Sequence, residues 1–189
     1  MYRIIIDTNI DAINVETALA LLTEQRRSQV LSLSNAEQRR QRVAAYLCLL
    51  RGFKAFTGIE ATGGLAFAYG EHGKPTLRDY PDVHFSMSHT RGAVAVVLSD
   101  NPVGIDIERA DRRISPTLVR HCMNEDECRR IESAANPQAE FLRLWTMKEA
   151  TAKRTGYGIA GGIKNILAGN DASQYIVQEQ DGYICSVSL

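Results

Sequence analysis

The stretch that decides the fold of this chain is Gly104-Ile105-Asp106-Ile107-Glu108, which lies near the middle of its 189 residues. Its alternation of apolar and acidic side chains is typical of a β-strand, where successive side chains point to opposite faces. Ile105 and Ile107 are therefore expected in the core, and Asp106 and Glu108 together on the other face, about 7 Å apart along the strand. Two interpretations of these acids stay open: an exposed edge strand with two solvated carboxylates, or a site for a hard divalent cation such as Mg²⁺, which prefers oxygen ligands.

The second informative stretch is WTMKEATAK, from Trp145 to Lys153, within a helix that is predicted to run from Pro137 to about Arg154. Glu149 and Lys153 are four residues apart and share a helix face. Taken alone, they predict a surface ion pair of roughly 0.3–0.5 kcal/mol beside a core tryptophan. Taken with the strand acids, Glu149 becomes a third carboxylate for the same cation, with an ammonium group one turn away.

Three further segments carry groups that suit phosphate. Residues 85–90 (FSMSHT) place Ser88 and His89 near a strand end, where a structural role explains them equally well. No GxSxG pattern surrounds the serine, so a serine hydrolase is not supported. Residues 73–75 (GKP) fix Lys74 in a turn. Residues 24–54 hold seven basic residues against two acidic ones; most are expected on a solvated helix face, although an arginine fork matches phosphate oxygens.

The composition disfavours several classes of protein. The chain is 44% hydrophobic and 23% charged, as globular domains are. Its 22 basic residues balance 22 acidic ones, so we expect no nucleic-acid partner. No uninterrupted apolar run approaches the roughly 20 residues of a membrane span. Acidic residues near the N-terminus argue against a secretory signal, and four dispersed cysteines without a CxxC pair are typical of reduced thiols, so we expect a cytoplasmic protein.

The pattern of elements predicts an α+β fold with antiparallel pairing, because strands both precede and follow helices in each half. We expect an N-terminal lobe over residues 1–100 and a C-terminal lobe over residues 101–189, the latter with most of the metal ligands. Helices are predicted at 16–33, at 36–56 with Asn35 as N-cap, and from Pro116 and Pro137, with Ser115 and Asn136 as N-caps. Strands are predicted at 2–6, 65–69, 83–87, 93–99, 103–108, 174–179 and 183–188.

The motifs GKP, FSMSHT, GIDIE and WTMKEATAK, in this order, resemble those of the 4′-phosphopantetheinyl transferase superfamily. The resemblance covers about residues 70–160 strongly and the N-terminal basic segment loosely. It implies a short, monomeric member of the two-lobed class, with two similar lobes related by pseudo-two-fold symmetry, each an antiparallel sheet packed with helices. It also implies transfer of 4′-phosphopantetheine from coenzyme A to a serine of an apo acyl or peptidyl carrier protein, with Mg²⁺ or Mn²⁺, releasing 3′,5′-ADP, and neither a nucleic acid nor a membrane as partner.

The same resemblance implies a role for each residue of the motifs. Mg²⁺ would be held by Asp106, Glu108 and Glu149. Glu149 would also take the serine proton, directly or through water, and Lys153 would contact the attacked phosphate. Coenzyme A would be bound by His89 with Ser88 at the diphosphate or the 3′-phosphate, by Lys74 beside the adenosine, and by Arg27, Arg42 and Lys148, with both arginines at the 3′-phosphate.

Two other functions remain open at the level of sequence. One is a Mg²⁺-dependent hydrolase of coenzyme A or nucleotide diphosphates, which would use the same three carboxylates with water as acceptor. The other is a module that binds coenzyme A or a carrier protein without turnover. Incubation with Mg²⁺ and coenzyme A alone separates the hydrolase from the transferase, because only the hydrolase then releases 3′,5′-ADP quickly.

Overall fold

The computed structural model describes residues 1–158 and 162–189. Two three-stranded antiparallel sheets and two long helices organise them. In chain order the elements are β1 (Tyr2–Asp7), α1 (Val15–Ala18), α2 (Glu24–Leu31), α3 (Ala36–Thr57), β2 (Phe67–Tyr69), β3 (Pro75–Leu77), β4 (His84–Thr90), β5 (Ala93–Ser99), β6 (Gly104–Arg109), α4 (Pro116–Cys122), α5 (Glu125–Ser133), α6 (Pro137–Thr155), β7 (Tyr175–Gln180) and β8 (Tyr183–Ser188).

The two halves of the chain repeat one topology. Each begins with an edge strand, continues through a long helix and ends in a hairpin whose second strand becomes the centre of the sheet. The resulting strand orders are β1-β5-β4 and β6-β8-β7. This repeat is what a pseudo-two-fold relation between two lobes requires, and the predicted α+β fold with antiparallel sheets is confirmed. The first sheet ends at Ser99 and the second begins at Gly104.

The alternation of side chains along β5 explains how the layers stack. All seven residues of β5 are buried. One set, which includes Val94 and Val96, packs in the same cluster as α3, and the other set, which includes Ala95, packs against Ile105 and Ile107 of the second sheet. The opposite face of the second sheet is covered by α6. The layers therefore run from α3 through both sheets to α6, and the prediction that the two isoleucines enter the core is confirmed.

The two sheets meet along their edge strands β4 and β6. The Ser86 hydroxyl accepts a hydrogen bond from the Ile105 amide (3.2 Å), and the Ser88 hydroxyl donates one to Asp106 Oδ1 (2.7 Å). Side chains thus join the two edges that no backbone ladder connects. The junction brings the FSMSHT and GIDIE segments together.

The long helices begin and end where local chemistry predicts. The side chain of Asn35 caps α3, and that of Asn136 caps α6, each by accepting a backbone N–H three residues later. Both helices end at a glycine in the left-handed conformation, Gly58 with φ 76° and Gly156 with φ 80°. The predicted caps and ends are confirmed.

The single helix predicted over residues 16–33 is wrong. After α1 the chain makes a 3₁₀ turn over Leu19–Leu21 and extends at Leu22, and then Thr23 starts α2 by accepting the Arg26 amide at its hydroxyl. Two capping side chains, Asn14 and Thr23, start two separate helices in a stretch where apolar spacing alone indicated one. The short strand β3, which pairs with β2 on either side of the GKP turn, was not predicted.

In the described ranges, no helix combines the length and the apolar character that crossing a membrane would require.

Candidate active site

A cleft of about 440 Å³ is lined by residues from both halves of the chain. Five of the residues predicted to be functional line it, and so do Arg26 and His72, which were not predicted. The first half of the chain contributes Arg26, Arg42, Lys74 and His89, and α6 contributes Glu149 and Lys153. The fold thus brings segments that are more than 100 residues apart in sequence to one surface.

Asp106 lies buried at the β4–β6 junction, beside this cleft. Its Oδ1 accepts hydrogen bonds from the Ser88 hydroxyl (2.7 Å) and from Lys153 Nζ (2.7 Å). Its Oδ2 is buried and has no hydrogen-bond partner among the described residues. A buried carboxylate oxygen without a partner is costly, so this atom marks a position that a further cation or donor would satisfy.

Glu108, two residues further along the same strand, is held by side chains of the C-terminal lobe. Arg112 Nη1 and Trp145 Nε1 (3.2 Å) both donate to Glu108 Oε1. Burial raises the pKa of Glu108, and the nearby charge of Asp106 raises it further, whereas Arg112 opposes the shift.

Glu149, on α6, shares the electrostatic environment of the strand acids. Burial is the main cause that raises the pKa of Glu149, and the charge of Asp106 adds to it. Lys153 pairs with Asp106 (2.7 Å), and no Glu149–Lys153 ion pair forms within the described part of the chain. The surface ion pair between Glu149 and Lys153 that their spacing allowed is therefore not formed on α6.

The three predicted metal ligands do not converge in this structure. Within residues 1–158 and 162–189, no group of three or more His, Cys, Asp or Glu side chains is placed to hold a metal ion. Lys153 and Arg112 instead balance the charges of Asp106 and Glu108. The donor set nevertheless fits a divalent cation: it consists of carboxylate oxygens, which Mg²⁺ prefers, and one of them is the orphaned Asp106 Oδ2.

His89 lies beside the cationic groups of the cleft. Burial lowers the pKa of His89, and the positive charges of Arg42 and Lys153 lower it further. The imidazole is thus favoured in its neutral form while an excess of positive charge faces the cleft. Such a field suits an anionic ligand, whose charge would offset that of the two side chains.

The structure corrects the prediction for Arg27. Its Nε donates to the Leu19 carbonyl (3.1 Å) at an exposed position, whereas its neighbour Arg26 lines the cleft. The Arg26 guanidinium lies 4.8 Å from the centre of the Phe67 ring, and burial lowers the pKa of Arg26. The N-cap at Thr23 sets the phase of α2, and this cap is the sequence signal that would have turned residue 26 inward.

The structure also contradicts the assignment of Lys148 to coenzyme A. Its side chain is fully buried and pairs with Glu127 on α5 (2.7 Å). Its Nζ donates to the carbonyls of Ile163 (2.8 Å) and Lys164 (2.9 Å). A residue one position before Glu149 is turned by about 100° around the helix, away from the cleft. Lys148 therefore joins α6 to α5 and to the segment that follows.

Ser88 and Lys74 were predicted to contact the ligand, but in the structure each makes a hydrogen bond to another part of the protein. Ser88 orients Asp106 through its hydroxyl and does not line the cleft among the described residues. The Lys74 ammonium donates to the Arg154 carbonyl (2.6 Å) at the end of α6, and burial lowers the pKa of Lys74. Its neighbour His72 was not predicted; it also lines the cleft and packs on Tyr157, with ring centres 5.3 Å apart.

Comparison with known proteins agrees with the motifs. Residues 102–187 match the family model of the 4′-phosphopantetheinyl transferase superfamily. The 4′-phosphopantetheinyl transferase psf-1 of Bacillus pumilus is 38% identical over 99 residues, which are 51% of this chain and 42% of that protein. The 4′-phosphopantetheinyl transferase gsp of Aneurinibacillus migulanus is 34% identical over 119 residues, which are 62% of this chain and 49% of that protein. The resemblance to this superfamily that the motifs indicate is confirmed over residues 102–187.

The matched part spans less than half the length of these two relatives. Among solved structures, the holo-[acyl-carrier-protein] synthase (AcpS) of Thermotoga maritima matches with 20% identity and a TM-score of 0.37, over 63% of this chain and 71% of that one.

Proposed function

We propose that this chain transfers the 4′-phosphopantetheine group of coenzyme A to a serine hydroxyl of an apo acyl or peptidyl carrier protein, with Mg²⁺ and with release of 3′,5′-ADP. The observation that best supports this is a cationic cleft that adjoins a buried acid of β6 with an unsatisfied oxygen. Arg42 and Lys153 line the cleft with His89, and Asp106 adjoins it with one oxygen unsatisfied. Coenzyme A is a long anion with a diphosphate, so it requires both features.

The cleft offers the charged parts of coenzyme A separate partners. Arg26 and Arg42 come from the N-terminal lobe and lie together at the border of a second cavity of about 260 Å³, which suits a terminal phosphate. His89 and Lys153 suit the diphosphate, near Asp106. His72, which lines the cleft, and Tyr157, which packs on it, form an aromatic pair that suits a purine base.

In the proposed reaction the serine oxygen bonds to the phosphorus that carries pantetheine, and the bond from this phosphorus to the bridging oxygen of the diphosphate breaks. The leaving group is 3′,5′-ADP. When bound, Mg²⁺ would neutralise charge on the diphosphate, and Asp106, Glu108 and Glu149 are the residues that would hold it. Lys153 would stabilise negative charge at the phosphate under attack.

The serine proton needs an acceptor, and Glu149 is the acid that lines the cleft. In the metal-free site, burial and then the charge of Asp106 raise the pKa of Glu149, whereas a cation held by the same carboxylate would lower its basicity. Transfer to Glu149 directly and transfer through a water molecule both fit this position. Ser88 contributes by fixing the Asp106 carboxylate through its hydroxyl.

We also propose that the enzyme acts as a monomer in the cytoplasm. Both halves of one chain contribute residues to one cleft, so a second copy is not needed to complete the site. The four cysteines are free thiols, which supports a reducing compartment.

Intact-mass spectrometry tests the function. The full chain is mixed with coenzyme A, MgCl₂ and a panel of apo acyl and peptidyl carrier proteins, and a carrier is expected to gain one phosphopantetheine mass. A carrier with alanine at the acceptor serine is the control, and it should gain none. Rapid release of 3′,5′-ADP from coenzyme A without any carrier would show a hydrolase instead, and binding of coenzyme A with neither product would show a module without turnover.

Two adjacent arginines of α2 allow a matched comparison, because Arg26 lines the cleft and Arg27 faces solvent. Arg26→Met keeps apolar packing on Phe67 and removes the guanidinium, and we expect the KM for coenzyme A to rise roughly tenfold, as for the loss of a charged hydrogen bond. Arg27→Met should leave KM within about twofold, because hydrogen bonds at exposed sites contribute little. Steady-state kinetics with an apo carrier that accepts the group measure both KM values. Equal effects in the two variants would contradict the position assigned to Arg26.

A further inference from the structure

Arg112 forms an ion pair with Glu108, one of the acids of the proposed cation site, but it is not among the residues that line the cleft. It lies in the loop between β6 and α4, and its Nη1 donates to Glu108 Oε1. The Arg112 guanidinium also stands over the Trp145 ring, 5.6 Å from its centre. Trp145 Nε1 donates to the same Glu108 oxygen (3.2 Å). The three side chains therefore form a closed set in which each contacts the other two.

We propose that Arg112 is a built-in counter-ion that competes with the divalent cation for Glu108. In this role it is a positioning residue: it holds the carboxylate in place while the site lacks a cation, and it lowers the affinity of the site for that cation. The inference rests on the proposed function for the existence of the cation site, and it adds a residue that sets how tightly the cation is held.

Charge at Glu108 gives the first step of the argument. The Glu108 side chain is 17% exposed, so its interaction with Arg112 is less screened than a surface pair would be. A divalent cation bound by the same carboxylate would lie within a few ångströms of the guanidinium, and like charges at that distance disfavour each other. When a cation binds, either the Arg112 guanidinium leaves Glu108 or it stays and repels the cation. Both cases lower the affinity for the cation.

The position of Arg112 gives the second step. Its side chain is 36% exposed and belongs to a connecting segment, so a displaced guanidinium can enter solvent without disturbing β6 or α6. Lys153 balances Asp106 in a similar manner, but Lys153 lines the cleft and has a role in the proposed chemistry. Arg112 is thus the counter-ion whose removal changes cation affinity without removing a group of the cleft.

Trp145 gives a direct way to observe the exchange, because it is the one tryptophan in the sequence. The full-length protein and its variants are titrated with MgCl₂ alone while indole emission is followed, and isothermal titration calorimetry with MgCl₂ gives an independent dissociation constant. For Arg112→Gln we expect a dissociation constant roughly fivefold lower than that of the wild type, as expected for the loss of a competing pair of this kind.

Arg113→Gln is the matched control. Arg113 is the next residue in the sequence, its side chain is exposed, and it makes no ion pair among the described residues. The substitution therefore removes the same charge as Arg112→Gln without breaking an ion pair. If only the general field of the loop mattered, both variants would tighten binding equally. We expect Arg113→Gln to stay within about twofold of the wild type. Arg112→Lys, which keeps the charge and loses the planar fork, should fall between the wild type and Arg112→Gln.

The proposal is overturned if Arg112→Gln binds Mg²⁺ more weakly than the wild type, equally to it, or no differently from Arg113→Gln. It is also overturned if calorimetry detects no Mg²⁺ binding to the wild type or to Arg112→Gln. Circular dichroism confirms that each variant is folded, and Arg112→Lys serves if Arg112→Gln is not. The mass gain of a carrier tests the transferase reaction separately. If a carrier is modified but Arg112→Gln and the wild type bind Mg²⁺ with the same affinity, only the role of Arg112 is rejected.

Discussion

Asp106→Asn is expected to lower kcat/KM for carrier modification by about 10²–10³-fold, the loss typical of removing a preorganised charged group from an active site. The substitution keeps the shape of the side chain and an oxygen that can still accept from Ser88 and Lys153. It removes the negative charge and replaces the orphaned Oδ2 by an amide group that would not bind a cation. Activity should therefore be lost while the packing of the β4–β6 junction is kept.

The matched control for this prediction is Asp111→Asn. It makes the same change of charge close by in sequence, at an exposed side chain that pairs with Arg109. Its kcat/KM should stay within about twofold of the wild type, since surface pairs contribute little. Thermal unfolding of both variants shows whether they are folded. A folded Asp106→Asn enzyme with nearly normal turnover would reject Asp106 as part of the reaction centre.

The parts of the fold that the sequence predicts are those fixed by local chemistry. Asn35 and Asn136 mark helix starts because their side chains take up the first free amide groups, and Gly156 ends α6 because it adopts positive φ readily. The alternation in GIDIE fixes which face of β6 enters the core. The broken helix before residue 33 was missed, since apolar spacing continued across a second cap at Thr23.

The sequence predicts which residues belong to the candidate site better than it predicts which of them contact each other. The motifs identify Asp106, Glu149 and Lys153, which the fold brings to one region. The sequence does not reveal that Lys153 pairs with Asp106 instead of Glu149, because that contact depends on how α6 lies on β6. The inward turn of Arg26 and the burial of Lys148 depend on helix phase in the same way.

The close approach of α6 to β6 makes these contacts possible, and one glycine permits it. A Cβ atom added to Gly104 would lie 1.9 Å from the Ala150 carbonyl oxygen and 2.6 Å from the Arg154 amide nitrogen. Both of these atoms belong to the backbone of α6, so neither can move aside as a flexible side chain would. The glycine therefore sets the spacing at which Lys153 reaches Asp106 and the Ile105 carbonyl.

Gly104→Ala is accordingly expected to lower the free energy of unfolding by at least about 3 kcal/mol, at the upper end for overpacked cores, because a helix must shift to admit one methyl group. Gly63→Ala, where nothing lies within 4 Å of the added atom, should change it by less than about 0.5 kcal/mol. Urea denaturation of both variants provides the comparison.

Any Gly104→Ala protein that folds should also lose transferase activity, because the displaced helix carries Glu149 and Lys153 away from β6. A variant with normal stability and normal turnover would mean that α6 can retreat from β6 without cost to the site. In that case the spacing between helix and strand would not be what places the ammonium group of α6 on the acid of the strand.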